Sequence, residues 1–297
     1  MSPKPLTCRM YRSNKPSTDA PPRGDAGPVL AYHQVDARFD FGVTRVTPRQ
    51  FAHQIGCMAS EGWKATSVRE YARPGAGETN KRLAITFDDA YASVLESALP
   101  ILAGHQFSAT VLAITDYVGK ENRWDVNLFW RRFRHLSWSE LQFLQAQGWE
   151  IGSHSCSHAH LPRLSDSKLW HEVRDSRTEL EQRLAVAIET FCLPYGRADA
   201  RVLEAVQKAG YTTVLMLGQR VAFDGALNML ERRAVYLFDT AGAFHRKISA
   251  PTDDAWQAYR QTIISRFALG SALVKHLSGG SARSDNHPTY KNIAQKP

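Results

Sequence analysis

Two short segments of this sequence carry side chains that could do chemistry together. Asp88 and Asp89 follow one apolar run, and His154 and His158 follow another. One carboxylate and two imidazoles can hold a divalent metal and leave positions open for water and substrate. The second carboxylate can then take a proton from the attacking water. The combination indicates metal-assisted hydrolysis. The same ligand set also suits a non-haem iron oxygenase, although the adjacent second aspartate argues against one.

The spacing of the two histidines supports a shared site. Residues four apart on a helical turn project to the same side, so His154 and His158 could bind one ion. Taken separately, an Asp-Asp pair is common in solvated turns and a pair of histidines is common on surfaces. Their occurrence at the ends of two predicted strands favours the site over either of these interpretations.

Strands and helices alternate along the chain, which indicates a mostly parallel sheet covered by helices. Strands are predicted at 28–32, 82–87, 109–114, 149–153, 190–193, 212–217 and 234–238. Helices are predicted at 48–61, 91–103, 139–147, 165–184, 199–209 and 253–275. About seven strands could form either a closed barrel or an open wound sheet. In both, functional residues gather at the carboxyl ends of the strands.

The net charge of the chain is +8, but much of it lies near the ends. Residues 1–27 contribute +3 and residues 277–297 contribute +2. The sequence has no compact block of Lys and Arg with interleaved aromatic residues, so we expect no nucleic-acid partner. We predict a disordered basic segment at 1–27, a catalytic domain with a C-terminal helix at 28–276, and a disordered tail at 277–297.

The four cysteines show no close pairing, which favours free thiols in a reducing compartment. The N-terminal residues lack the apolar core of a secretory signal, and no run of about 18 apolar residues predicts a transmembrane helix. We therefore expect a cytoplasmic protein.

Three motifs together resemble those of the polysaccharide deacetylases, the NodB-homology group of carbohydrate esterase family 4. They are Thr86-Phe87-Asp88-Asp89, His154-Ser155-Cys156-Ser157-His158 with Leu161, and Leu193-Pro194-Tyr195-Gly196. The resemblance extends over roughly residues 28–240. Tyr32-His33 and Gly148–Ser153 are similar to the branch that contains exopolysaccharide deacetylases acting on N-acetylglucosamine polymers.

This resemblance implies a distorted (β/α)7-type barrel that removes N-acetyl groups from acetylated amino sugars, in a polysaccharide, an oligosaccharide or a lipid- or nucleotide-linked glycan. Asp88 matches the catalytic base of the family. Asp89, His154 and His158 match the ligands of one divalent ion, with zinc as the first expectation and cobalt, nickel or manganese as alternatives. Tyr195 matches the position whose backbone N–H holds the developing oxyanion.

The sequence departs from the family pattern at two functional positions. Many members carry an arginine that orients the base where this chain has Cys192. Either Asp88 is tuned differently here or another arginine, with Arg233 as the candidate, fills that space. Many also carry a late histidine as the general acid, but residues 230–239 contain none. His33 and His245 are the candidates for that role, and His33 is preferred because a strand end faces the site.

The resemblance also indicates which residues contact substrate. Pro194, Trp124, Asp125 and Arg233 are the candidates, and the expected partner is a carbohydrate that bears N-acetyl groups. Two other functions stay open from the sequence. One is a deformylase or another amide hydrolase on the same scaffold, and the other is a non-catalytic carbohydrate-binding relative.

Overall fold

The computed structural model describes residues 26–38, 44–73, 81–122, 133–218 and 221–249. Within these residues the chain forms ten strands and eight α-helices.

Several predicted features lie outside the described residues. These are the helix at 253–275, the tail at 277–297, nearly all of the segment 1–27, and both Trp124 and Asp125.

Seven parallel strands close into a barrel. The ten strands are β1 (Ala26–Tyr32), β2 (Gln34–Val35), β3 (Arg45–Val46), β4 (Lys64–Thr66), β5 (Arg82–Phe87), β6 (Thr110–Ala113), β7 (Glu150–Ser153), β8 (Thr190–Cys192), β9 (Thr213–Met216) and β10 (Asn228–Ala234). The barrel order is β1-β10-β9-β8-β7-β6-β5, and β5 pairs again with β1. β4 pairs with the first half of β5, and β2 and β3 form a separate pair. The prediction of a (β/α)7-type barrel is confirmed.

Helices cover the outside of the barrel. They are α1 (Pro48–Ser60), α2 (Val68–Ala72), α3 (Leu99–Ala103), α4 (Trp138–Ala146), α5 (Asp166–Trp170), α6 (Ser176–Leu184), α7 (Ala200–Lys208) and α8 (Ala241–Ser249). Thr47 caps α1 by accepting a hydrogen bond from the N–H of Gln50, and Pro48 occupies the first turn. One wider π turn joins α5 to α6, so the predicted helix 165–184 is continuous.

Alternation along each strand separates two apolar layers. Side chains such as Leu30 and Phe87 point outwards and pack with the helices in the larger core. Val29 points into the barrel, and there it belongs to a smaller core together with Leu112 and Cys192 from other strands. The inner positions nearest the carboxyl ends of the strands are therefore the ones that can face a shared site.

A polar cluster closes the amino end of the barrel. Glu150, Thr110 and Thr190 are the first residues of their strands, and both threonine hydroxyls donate to the Glu150 carboxylate. The same carboxylate accepts a hydrogen bond from the N–H of Arg69 in α2. Val68 precedes this residue and packs into the inner core beside Leu112. The first turn of α2 therefore plugs the end of the barrel opposite the site.

The predicted strand at 234–238 is wrong. The strand is β10, Asn228–Ala234, and residues 235–240 form a loop that leads to α8. The sequence prediction followed the apolar run after Ala234. It missed β10 because this strand carries two arginines, one of which is buried inside the barrel.

Candidate active site

Five of the predicted site residues meet at the carboxyl end of the barrel. His33 follows β1, Asp88 and Asp89 follow β5, and His154 begins the loop after β7 that ends at His158. All but His33 are buried, and the His33 side chain is 21% exposed. The strand ends therefore bring together residues that are up to 125 positions apart in the sequence.

Asp89, His154 and His158 form a set that fits one divalent ion. The Asp89 Oδ1 atom lies 3.6 Å from the His154 Nε2 atom and 3.8 Å from the His158 Nε2 atom. Ligand atoms at about 2.0–2.2 Å from a tetrahedral zinc ion are roughly 3.4 Å apart, so these distances need little adjustment. Burial lowers the pKa of His154 to about 4 and that of His158 well below its usual value, so both rings are neutral and can bind a metal at pH 7.

A backbone contact fixes the tautomer of His154. Its Nδ1 atom lies 3.0 Å from the carbonyl oxygen of Cys192, so Nδ1–H donates and the Nε2 lone pair faces Asp89. Metal-binding histidines commonly have this arrangement, in which the second nitrogen is held by a carbonyl or carboxylate.

The loop between the two histidines is not the helical turn that the spacing suggested. Ser155 and His158 both adopt left-handed backbone conformations, with φ of 69° and 61°. The Glu172 carboxylate holds the loop, because it accepts hydrogen bonds from the N–H groups of Cys156 and Ser157. It also accepts one from the Ser157 hydroxyl. The loop geometry, rather than a helix, turns both imidazoles towards Asp89.

The turn after β5 is held in a similar way. Asp89 and Ala90 have φ of 66° and 52°, so both adopt a left-handed conformation that favours glycine. The buried His135 ring donates from Nδ1 to the Asp89 carbonyl oxygen at 2.5 Å. Burial lowers the pKa of His135 to about 4, so this ring is neutral. Sequence reasoning missed His135, because this residue lies in none of the three motifs.

Asp88 forms a two-pronged ion pair with Arg232 inside the barrel. The Nη1 atom lies 2.6 Å from Asp88 Oδ1, and the Nη2 atom lies 3.0 Å from Asp88 Oδ2. Arg232 is 1% exposed and also donates to the hydroxyl of Thr86. The predicted candidate, Arg233, points the opposite way and donates to the carbonyl oxygen of Lys247 in α8. Neighbours in a strand face opposite sides, so one residue of register decides which arginine reaches the base.

The pKa of Asp88 reflects opposing effects. Burial acts to raise it, but the charge of Arg232 and the hydrogen bonds that Arg232 donates outweigh burial and hold the pKa well below its usual range. Asp88 is therefore ionised at neutral pH and can accept a proton.

Cys192 occupies the space beside this pair. Its Sγ atom lies 3.0 Å from Arg232 Nη2 and 3.9 Å from Asp88 Oδ1. Burial raises the pKa of the Cys192 thiol well above its usual value, so the sulfur is uncharged. Asp88, His154 and Cys192 are also close enough to hold an ion, but the guanidinium of Arg232 already supplies a cation there. We therefore assign the metal position to the set that contains Asp89.

The two candidates for the general acid lie in different places. The His33 Nε2 atom is 3.8 Å from Asp88 Oδ2, at the carboxyl end of the barrel. The His245 Nε2 atom is 3.6 Å from Glu61 Oε1, next to α1 on the outer surface. The structure thus brings His33 to the site and not His245.

The third motif lies beside the histidines. Tyr195 follows Pro194 in a tight turn after β8 and has a left-handed backbone, with φ of 57°. Its ring centroid is 4.6 Å from that of His158 and 6.2 Å from that of His160. This turn lines the same end of the barrel as the two aspartates.

No helix among the described residues is long and apolar enough to cross a membrane.

A family model described as polysaccharide deacetylase matches residues 75–214. These residues include both aspartates, both histidines and the turn at Tyr195.

Curated relatives match 56–62% of the chain. The poly-beta-1,6-N-acetyl-D-glucosamine N-deacetylase of Staphylococcus aureus strain MRSA252 is 27% identical over 176 residues, which are 56% of this chain and 58% of that enzyme. A relative from Bacillus subtilis strain 168 is 23% identical over 187 residues, 62% of each chain. The chain thus spans only about three fifths of the length of these curated relatives.

Solved structures share the fold. The Streptococcus pyogenes deacetylase PplD in complex with acetate has a TM-score of 0.64 and 21% sequence identity. The match covers 75% of this chain and 97% of that one. IcaB from Ammonifex degensii has a TM-score of 0.60 and 20% identity, and the match covers 75% and 95% of the two chains. At this level of identity the likeness supports the barrel architecture alone.

Proposed function

We propose that the chain is a member of the polysaccharide deacetylase family, whose model matches residues 75–214, and that it is a hydrolase that removes N-acetyl groups from an acetylated amino-sugar polymer. The observation that carries this proposal is the site at the carboxyl end of the barrel. There a base paired with arginine, a metal-binding triad and a histidine lie within contact distance of one another. Metal-assisted amide hydrolysis uses each of these groups, whereas a binding protein needs no paired base.

Asp88 is the general base in this proposal. It is ionised at neutral pH, and Arg232 holds both of its oxygens. Each carboxylate oxygen has two lone pairs, so the paired carboxylate can still accept a proton from water. Arg232 also compensates the buried charge before the reaction and fixes the direction of the carboxylate.

His33 is the general acid in this proposal. It lies beside the base, with its Nε2 atom 3.8 Å from Asp88 Oδ2. Both residues can therefore reach one acetamide: Asp88 removes a proton from water, and His33 gives one to the leaving amine. The products are acetate and a free amino group on the sugar.

Asp89, His154 and His158 would hold the divalent ion. When bound, such an ion polarises the acetyl carbonyl and lowers the pKa of water. The backbone N–H of Tyr195 is the proposed donor to the oxygen that becomes negatively charged, as in other oxyanion holes.

The substrate class that we propose is a polymer of N-acetylglucosamine. The S. aureus relative is named as a deacetylase of poly-β-1,6-N-acetylglucosamine. The similarity of that enzyme to this chain supports a β-linked polymer of the same sugar as the substrate. Pro194 and Tyr195 line the turn beside the site and are the proposed contacts to the sugar that loses its acetyl group.

The test is acetate release from β-1,6- and β-1,4-linked N-acetylglucosamine oligosaccharides. The protein is first treated with a chelator and then supplied with Zn²⁺ or Co²⁺. We expect release only after metal is restored. Asp88→Asn should remove turnover but retain metal binding, while His154→Ala should lose the metal. Breaking the pair of Asp88 and Arg232 costs about 3–5 kcal/mol of stability, so circular dichroism must confirm that each variant is folded.

The outcomes separate the proposal from its alternatives. Full activity in a folded Asp88→Asn variant would contradict the mechanism. Formate release from formylated substrates without acetate release would favour a deformylase. Oligosaccharide binding without any hydrolysis would indicate a non-catalytic relative.

A further inference from the structure

Phe238 is an apolar side chain with an unusual exposure. Among the described residues only two large hydrophobic side chains are strongly exposed, Phe143 at 49% and Phe238 at 48%. Phe143 lies on α4, on the outer surface of the fold. Phe238 lies instead in the loop that follows β10, the strand that carries Arg232 to the base.

Polar contacts hold this loop firmly. The Asp239 carboxylate accepts hydrogen bonds from the N–H of Tyr236 and from the buried ammonium group of Lys247. The same ammonium donates to the carbonyl oxygen of Ala234. The Gln50 side chain from α1 contacts the carbonyl oxygens of Tyr236 and Asp239 at 3.3 and 3.4 Å. Because these contacts hold the loop, the exposed Phe238 ring loses little conformational entropy when a ligand binds to it.

The strand register puts the loop near the catalytic groups. Ala31 in β1 pairs with Ala234 in β10. His33 follows Ala31 by two residues, just past the end of β1, and Tyr236 follows Ala234 by two residues, in the loop after β10. The charge of Asp239 also contributes, after burial, to raising the pKa of Tyr32, which directly precedes His33. The loop therefore lies at the rim of the barrel, against the strand end that supplies the proposed acid.

Tyr236 supports the exposed ring. The ring planes of Tyr236 and Phe238 are 9° from parallel, with centroids 5.3 Å apart. Lys247 lies over the Tyr236 ring at 4.7 Å from its centroid, which fixes that ring further. Phe238 is thus a flat apolar surface that is held in place but not covered.

We propose that Phe238, supported by Tyr236, is a stacking platform for a sugar ring of the substrate chain, beyond the sugar that is deacetylated. The inference rests on the proposed function and adds a subsite to it. The apolar C–H face of a pyranose ring can cover an aromatic ring, and exposed apolar surface near a site commonly marks a ligand groove. The occupant is therefore an uncharged sugar of the same polymer, and the site favours long substrates over short ones.

The test compares substrates of two lengths. For wild type we expect kcat/KM for acetate release to be higher with an N-acetylglucosamine hexasaccharide than with a disaccharide. Phe238→Ala should reduce the ratio of the two values about tenfold, which corresponds to about 1.4 kcal/mol. Phe238→Trp should keep the ratio, because a larger ring still stacks. Phe143→Ala is the matched control and should leave the ratio unchanged.

Two outcomes of this comparison would overturn the platform. One is an unchanged ratio in Phe238→Ala, and the other is an equal fall in Phe143→Ala. If wild type releases no acetate from either substrate, the proposed function fails by itself. Calorimetric titration with the hexasaccharide then decides, and equal affinity of wild type and Phe238→Ala would refute the platform.

Discussion

At the scale of single residues, the site depends on the ion pair between Asp88 and Arg232, in which each charge compensates the other. Asp88 and Arg232 are both almost fully buried, and a lone charge in either position would be costly. Together they keep a base ionised inside the barrel. The small side chain of Cys192 leaves room for a guanidinium that arrives from β10 rather than from β8.

We predict that Arg232→Lys reduces kcat by roughly 10- to 100-fold, because an ammonium group cannot hold both oxygens of Asp88. Arg232→Ala should lose more and should also destabilise the fold by about 3–5 kcal/mol. In the double variant Cys192→Arg with Arg232→Ala, a guanidinium again reaches Asp88 and part of the lost activity should return. Steady-state kinetics and denaturant unfolding measure these effects. Wild-type kcat in folded Arg232→Lys would contradict the role of the pair.

At the scale of elements, the loops after β5 and β7 are held by hydrogen bonds, and they orient side chains that the strand ends alone would not bring together. The strand ends place Asp89 and His154 near each other, but His158 lies five residues beyond the end of β7. Its direction depends on the left-handed turns at Ser155 and His158 and on the hydrogen bonds to Glu172. Glu172 comes from the π turn between α5 and α6, so the irregularity of that helix contributes to the metal site.

We predict that Glu172→Gln weakens Zn²⁺ or Co²⁺ affinity by roughly 10- to 100-fold, the effect typical of losing a partner that orients the ligands. An amide can accept fewer of the three hydrogen bonds that the loop donates to this carboxylate. Metal titration of the chelator-treated protein measures the change without any substrate. Glu179→Gln, in α6 of the same continuous helix, is the control and should bind metal like wild type. An affinity within twofold of wild type in Glu172→Gln would contradict this role.

At the scale of the whole molecule, the two ends of the barrel divide function from stability. The carboxyl end carries the catalytic candidates, while the amino end is closed by Glu150 and its hydrogen-bond donors. Barrel enzymes commonly show this division, since loops at one end can vary while the other end holds the strands together.

We predict that Glu150→Ala lowers the free energy of unfolding by roughly 2–4 kcal/mol, because it leaves buried hydroxyl and N–H donors without their acceptor. Metal affinity and kcat should stay close to wild type at temperatures where the variant is folded. Thermal unfolding and acetate release, measured on the same preparation, test both parts. A large fall in kcat with unchanged stability would place this cluster in the mechanism instead.

The sequence by itself determined the class of the fold and the residues of the proposed site. Apolar runs alternating with helical periodicity predicted a mostly parallel sheet covered by helices, and the resemblance to a known family implied that the sheet closes into a barrel. The two motifs after β5 and β7 supplied the candidates Asp88, Asp89, His154 and His158. These predictions depend on local patterns, which a sequence displays directly. The end of β10 was misplaced because a buried arginine interrupts the apolar signal on which the prediction relied.

Only the tertiary structure decided which residues from distant segments reach those motifs. Arg232 rather than Arg233 pairs with Asp88, and His33 rather than His245 approaches it. Glu172 and His135 brace the loops without belonging to any motif. The physical reason is that register between strands and closure of the barrel set these contacts. A shift of one residue turns a side chain from the lumen to the outer surface, and composition does not reveal it.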